Sequence, residues 1–153
     1  MIETPCKAVF ILTFSHSRTF FMYENVAVTD FPEGLFGSVS FEIIEVMVAR
    51  NVTSVHPSVF LQSKERLKQV TIGECLIGDF SWDILPQLTN LLLLDLHENV
   101  LTTIPPIESD SLETLNLWEN EISSLEIGWS TPNLRHLDTS ECNGAEHHAA
   151  WTH

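Results

Sequence analysis

The feature that most constrains this chain is a repeat. Leu91-x-x-Leu94-x-Leu96-x-x-Asn99-x-Leu101-x-x-Ile104 is followed 21 residues later by Leu112-x-x-Leu115-x-Leu117-x-x-Asn120-x-Ile122-x-x-Leu125. In an extended strand successive side chains point to opposite faces, so Leu94 and Leu96 share one face and the residues between them point the other way. A unit this short cannot bury its apolar face alone. It must stack on copies of itself, and at least three copies are needed for a stable stack.

Both units match the leucine-rich repeat template at every position. Upstream, Leu67-x-x-Val70-x-Ile72-x-x-Cys75-x-Ile77-x-x-Phe80 fits with Cys in the Asn slot. Downstream, Leu134-x-x-Leu137-x-Thr139-x-x-Cys142 continues with a polar residue at one apolar position. Phe41-x-x-Ile44-x-Val46 opens another unit whose ending, Val52-x-x-Val55, arrives one residue late, which implies a bulge at 48–50. Val28-x-x-Phe31 ends a still earlier unit with a degenerate strand at 21–23. The expected fold is an α/β leucine-rich repeat solenoid, with a curved parallel β-sheet on its concave face and short helical or irregular convex segments. The expected division is a divergent N-terminal segment (1–23), a domain of about five repeats (24–142) and an irregular tail (143–153). The convex stretches at 56–61 and 82–88 have room for a helical turn, whereas Pro105-Pro106 leaves room only for an extended or 3₁₀ return.

Asn99 and Asn120 are expected to form a ladder that satisfies backbone groups of their own and neighbouring coils, with Cys75 and Cys142 as small buried thiols in the same slots. Those two cysteines lie three strands apart, roughly 14 Å at ~4.8 Å per strand, too far for a disulfide. The remaining cysteine, Cys6, completes no framework.

Charge narrows the function. The formal net charge is -14, and residues 67–153 hold fourteen acids against two bases, Lys68 and Arg135. Such a surface repels phosphate backbones and anionic lipid, which argues against nucleic-acid binding and membrane docking, and no apolar run is long enough to span a bilayer. The expected partner of this half is a basic or neutral protein and not an acidic one.

The outward strand positions read as columns: Thr71, Asp95, Asn116 and Asp138; then Gly73, His97, Trp118 and Ser140; then Glu74, Glu98, Glu119 and Glu141. Stacked carboxylates repel one another unless a cation or basic partner offsets them. The candidate binding surface is therefore concave and comprises Leu93, Asp95, His97, Glu98, Asn116, Trp118, Glu119 and Asp138. Catalytic signals are missing: the chain has no Gly-x-Gly-x-x-Gly, phosphate loop, Gly-x-Ser-x-Gly or Cys-x-x-Cys. Asp95 and Asp138 stand two strands apart with Asn116 between them. Cys142, His147, His148 and His153 carry zinc-binding groups at intervals that match no standard finger, so no metal or cofactor is assigned. Asn51-Val52-Thr53 is a glycosylation acceptor triplet.

The segments between the repeats are more specific than the repeat itself. Phe36-Gly37-Ser38-Val39-Ser40-Phe41, Ser54-Val55-His56-Pro57-Ser58, Leu61-Gln62-Ser63-Lys64-Glu65-Arg66-Leu67, Trp82-Asp83-Ile84-Leu85-Pro86-Gln87-Leu88-Thr89-Asn90-Leu91 and Pro105-Pro106-Ile107-Glu108-Ser109-Asp110-Ser111-Leu112-Glu113-Thr114-Leu115 occur together. Across residues 24–140 the assembly resembles the arthropod secreted leucine-rich repeat proteins similar to the oplophorus-luciferin 2-monooxygenase non-catalytic subunit. The resemblance implies an extracellular, secreted, non-catalytic protein-binding module; monooxygenase chemistry would belong to another subunit. The alternative is a structural extracellular repeat protein without a dedicated partner. Residues 1–23 depart from the pattern, with one cysteine instead of a cap and no evident signal peptide. The sequence after Cys142 leaves the repeat where another strand was due, and reads as a truncated or divergent end.

Overall fold

The computed structural model describes residues 13–15 and 17–142. Its centre is a seven-stranded sheet built from β1 (Thr13–Ser15), β2 (Ser17–Tyr23), β4 (Ile43–Met47), β6 (Gln69–Gly73), β7 (Leu93–Asp95), β9 (Thr114–Asn116) and β11 (His136–Asp138), in that order. From β2 onward every neighbouring pair is parallel, and each strand joins the next by one full coil. β1 pairs antiparallel with β2 at the edge. This is the stacked solenoid of about five turns that the repeat demands.

The return path of each coil forms a second set of short parallel pairings. β3 (Asp30–Phe31) lies beside β5 (Ser54–Val55), and β8 (Thr103–Ile104) beside β10 (Ser124–Leu125). On the convex side α1 (Ser58–Leu61) is one helical turn, and Trp82–Gln87 is a 3₁₀ segment. The coil carrying Pro105-Pro106 returns without a helix. The missing amide of proline and the shorter coil account for that difference.

The template leucines fill the interior. Leu91, Leu94, Leu96 and Leu101 in one coil and Leu112, Leu115 and Leu117 in the next have no solvent exposure, and burying each such side chain stabilises by about 1.5–3 kcal/mol. Phenylalanines do the same work where the template decays. Phe20, Phe36 and Phe41 pack at ring separations of 4.7–5.9 Å in the first coils, and Phe80 bridges Phe60 and Trp82 at 5.6 and 5.0 Å. Leu134 and Leu137, in the last described coil, are only partly buried.

Two details revise the sequence reading. The strand expected at 21–23 is a seven-residue strand, β2, in five-residue register with β4. The extra residue of the second coil falls after Ala49, where the Val52 amide donates to the Ala49 carbonyl at 2.9 Å, whereas Val48 has the same left-handed backbone as its counterparts in other coils. The first coil carries the same insertion between Asn25 and Val28, closed by the Ala27 and Val28 amides donating to Asn25 Oδ1, both at 2.9 Å.

Candidate functional site

The ladder comes first because it holds the strands that present the open face. Asn99 Oδ1 accepts from the Ile77 amide at 3.0 Å, and its Nδ2 faces the carbonyls of Ile72, Leu96 and His97 at 2.7, 3.1 and 3.0 Å. Asn120 repeats this with the Leu101 amide and the carbonyls of Leu96, Leu117 and Trp118. Each amide side chain thus ties its own coil to the one before it, in an interior where an unpaired backbone group is costly.

Cys75 and Cys142 hold the same slots as free thiols, with sulfur contacts to the Gly73 and Leu117 carbonyls at 3.3 and 3.4 Å. Burial pushes the Cys75 thiol up to about 11, partly countered by a backbone hydrogen bond at Ala49. Sequence reasoning missed two rungs, Asn25 and Ala49. Counting forward three residues from Met22 and Val46, as from Leu96 to Asn99 and from Leu117 to Asn120, finds both. Asn25 is fully buried, and its Nδ2 has no partner among the described residues.

The outward columns are in register as read. Thr71, Asp95, Asn116 and Asp138 are paired neighbours across four strands. Their side chains serve the strand ends: Asp95 Oδ1 accepts from the His97 amide at 3.1 Å, Asn116 Oδ1 from the Trp118 amide at 3.1 Å, and Asp138 Oδ1 from the Ser140 amide at 2.9 Å. An acceptor two residues before each turn is the local device by which Asp and Asn stabilise tight turns. Asp138 also accepts from Ser140 Oγ at 2.6 Å, and these bonds hold its carboxyl below the usual carboxylate range.

His97 is the most constrained side chain on this face. Its Nδ1 lies 2.7 Å from Asp95 Oδ1, and its ring centre is 6.3 Å from that of Trp118, tilted by 36°. The ring covers Gly73 of the neighbouring strand so closely that a Cβ there would stand 2.6 Å from Nε2. Only glycine admits this approach. The hydrogen bond that the ring donates to the Asp95 carboxylate raises the imidazole's pKa, and burial opposes it.

The glutamate column sits where the strand turns. Glu74, Glu98, Glu119 and Glu141 all have φ between +48° and +57°, as do Glu24 and Val48 at the matching points of the first two coils. Glu74 pairs with Arg50 at 3.3 Å. Glu98, Glu119 and Glu141 have no ion pair among the described residues. Leu93 opens the strand that Asp95 closes, so it stands four residues, about 13 Å, from His97 and belongs to a different column.

Asn51 is exposed, and its Nδ2 donates to the Val26 carbonyl at 2.6 Å across the coil boundary. A cleft away from the open face is lined by Leu85, Pro86, Ser109, Ser111 and Ser130. Ser109 Oγ there accepts from the Leu112 amide and Ser111 Oγ donates to the Leu88 carbonyl, so these hydroxyls serve the backbone. Among the described residues no three His, Cys, Asp or Glu side chains gather into a metal-binding group, and no helix is long and apolar enough to cross a membrane. Of the zinc-type set only Cys142 is described; His147, His148 and His153, like Cys6, lie outside the described residues.

No family model matches the chain, and no solved structure matches it. Among curated proteins, it is 23% identical over 148 residues, covering 94% of this chain and 41% of the relative, to the Oplophorus-luciferin 2-monooxygenase non-catalytic subunit of Oplophorus gracilirostris. The chain therefore spans about two-fifths of the length of a relative whose own name describes a non-catalytic subunit.

Proposed function

We propose that this chain is a non-catalytic, extracellular protein-binding module that presents the open face of its sheet to a basic partner. The observation that carries the reading is the His97–Trp118 ring pair on that face, bordered by Asp95 and Asp138 on one side and by Glu98 and Glu119 on the other. Aromatic side chains next to unpaired acids combine the two elements that give an interface its anchor and its charge selectivity. Asp95 and Asp138 are each engaged with the backbone of their own turn. The name of the relative supports the same direction, as does the extracellular placement taken from the resemblance.

A structural repeat protein without a dedicated partner is the second reading. It draws on the bonds that Asp95, Asn116 and Asp138 make to their own backbone, which give those columns a purpose within the fold. A pull-down from extracellular fluid with the wild-type chain and a Trp118→Ala, His97→Ala double variant separates the two. A protein retained by the first and lost from the second, with unchanged far-UV circular dichroism, supports the binding module. No retention by either chain favours the structural protein, and equal retention places the partner away from His97 and Trp118.

A further inference from the structure

Asn51-Val52-Thr53 is the only Asn-x-Ser/Thr triplet in the sequence, and the stack gives it a particular place. In the third, fourth and fifth coils a single residue separates the rung from the next inward apolar residue. Leu76 lies between Cys75 and Ile77, Val100 between Asn99 and Leu101, and Glu121 between Asn120 and Ile122. The second coil has two residues there, Arg50 and Asn51, between Ala49 and Val52. The bond from the Val52 amide to the Ala49 carbonyl closes this turn and leaves both residues at its exposed tip.

The fold tolerates a sugar at this point. Val52 is fully buried and fixes the turn, whereas Asn51 and Thr53 on either side of it are exposed. Asn51 Nδ2 carries two hydrogens and donates to the Val26 carbonyl at 2.6 Å. A glycosylated amide keeps one N–H, which is enough for that bond between coils. Attachment therefore disturbs no buried contact.

The surroundings give the sugar something to cover. Val26, whose carbonyl Asn51 binds, is 58% exposed, and Leu76, whose amide donates to the Val52 carbonyl, is 44% exposed. They belong to the coils on either side of Asn51, and adjacent coils are about 4.8 Å apart where their strands pair. A glycan rooted at Asn51 overlies both. The chain leaves the sheet at Met47, and Val48 and the inward Ala49 lie between the sheet and this turn. The glycan thus belongs to the flank, and the open face stays free.

We propose that Asn51 is an N-glycosylation acceptor whose glycan covers the Val26 and Leu76 flank and leaves the open face to the partner. The donor is a lipid-diphosphate-linked oligosaccharide. The bond between sugar C1 and the diphosphate oxygen breaks, a C1–Nδ2 bond forms, and Nδ2 loses one proton as the lipid diphosphate leaves. The proposal rests on the extracellular reading, because this modification belongs to secreted chains.

In the test, insect cells secrete the full chain behind a supplied cleavable signal peptide. Peptide N-glycosidase is expected to reduce the intact mass to that of the bare polypeptide, with Asn51 converted to Asp. Asn51→Gln and Thr53→Ala should each lack the removable mass, and Thr53→Ser, which keeps the hydroxyl, should retain it. A secreted wild-type chain without removable mass overturns the site. The two glycan-free variants should bind more of an apolar dye than the glycosylated chain, and adding Val26→Ser, Leu76→Ser to Asn51→Gln should remove the excess. Equal dye binding with and without the glycan overturns the cover.

The natural chain separates this proposal from the reading beneath it. Found in extracellular fluid without removable mass, it overturns the site and keeps the extracellular reading. Found only inside cells, it overturns the extracellular reading, and the secreted-expression result still decides the site.

Discussion

Replacing Asn99 by Ala tests the ladder on which the whole stack depends. The substitution removes one acceptor, for the Ile77 amide, and two donor hydrogens shared among the carbonyls of Ile72, Leu96 and His97. Ile72 and Ile77 are both buried, so their freed backbone groups gain little from water. At about 1–3 kcal/mol for each buried group left unpaired, losing the two bonds to the preceding coil costs about 2–6 kcal/mol, a large share of the ~5–15 kcal/mol that holds a domain together. Asn25→Ala is the internal control. It loses only two turn amides at an accessible coil edge, and its Nδ2 has no bond to lose, so the cost should be nearer 1 kcal/mol. Urea unfolding of both variants gives the difference, and amide hydrogen exchange at Ile77 locates it, because that amide should lose protection in Asn99→Ala alone. Equal destabilisation by the two variants, or an Ile77 amide that stays protected in Asn99→Ala, would refute the assignment of Asn99 as a tie between coils.

Other outcomes follow from the same geometry. Because Asp95 raises the His97 pKa, the stability contributed by this pair should be fully present below the unfolded imidazole value and lost as pH rises through the folded one. An NMR titration should show Asp95→Asn lowering the His97 pKa. Gly73→Ala should displace the ring and shift the same resonance in the same direction, and an unchanged titration in both would remove the pairing. Glu119→Gly should raise thermal stability by about 0.5–1 kcal/mol, since it relieves a left-handed backbone and the repulsion from two like-charge neighbours, Glu98 and Glu141, and a lower melting temperature would contradict this. In a Cys6→Ser background a thiol reagent at pH 8 should label Cys142 well before Cys75, whose thiol is buried and held up to about 11; equal labelling would mean the coils open far more readily than their packing implies.

Much of this protein is legible from spacing alone. The apolar positions of the template are inward because strand periodicity and coil length leave them no other place, and Asn99, Asn120, Cys75 and Cys142 repeat at one point of that cycle. The columns through Thr71, Asp95, Asn116 and Asp138 follow from the same arithmetic. Proline at 105 and 106 likewise reads directly as a coil back without a helix. The first coils were harder. Their one-residue insertions shift the return path against the template, so Asn25 and Ala49 do not stand out as rungs.

Conformation and contact across coils belong to the tertiary structure. The left-handed backbone at Glu98 and Glu119 is imposed by the turn that closes each strand, and glutamate's own preference gives no sign of it. The place of His97 depends on a glycine 24 positions earlier, whose missing Cβ matters only once β6 and β7 lie side by side. Its bond to Asp95 adds a second restraint within its own coil. The sequence alone therefore determines which residues face inward and which face outward, because that follows from local periodicity. Stacking decides which outward residues meet, because that depends on the shape and register of the neighbouring coil.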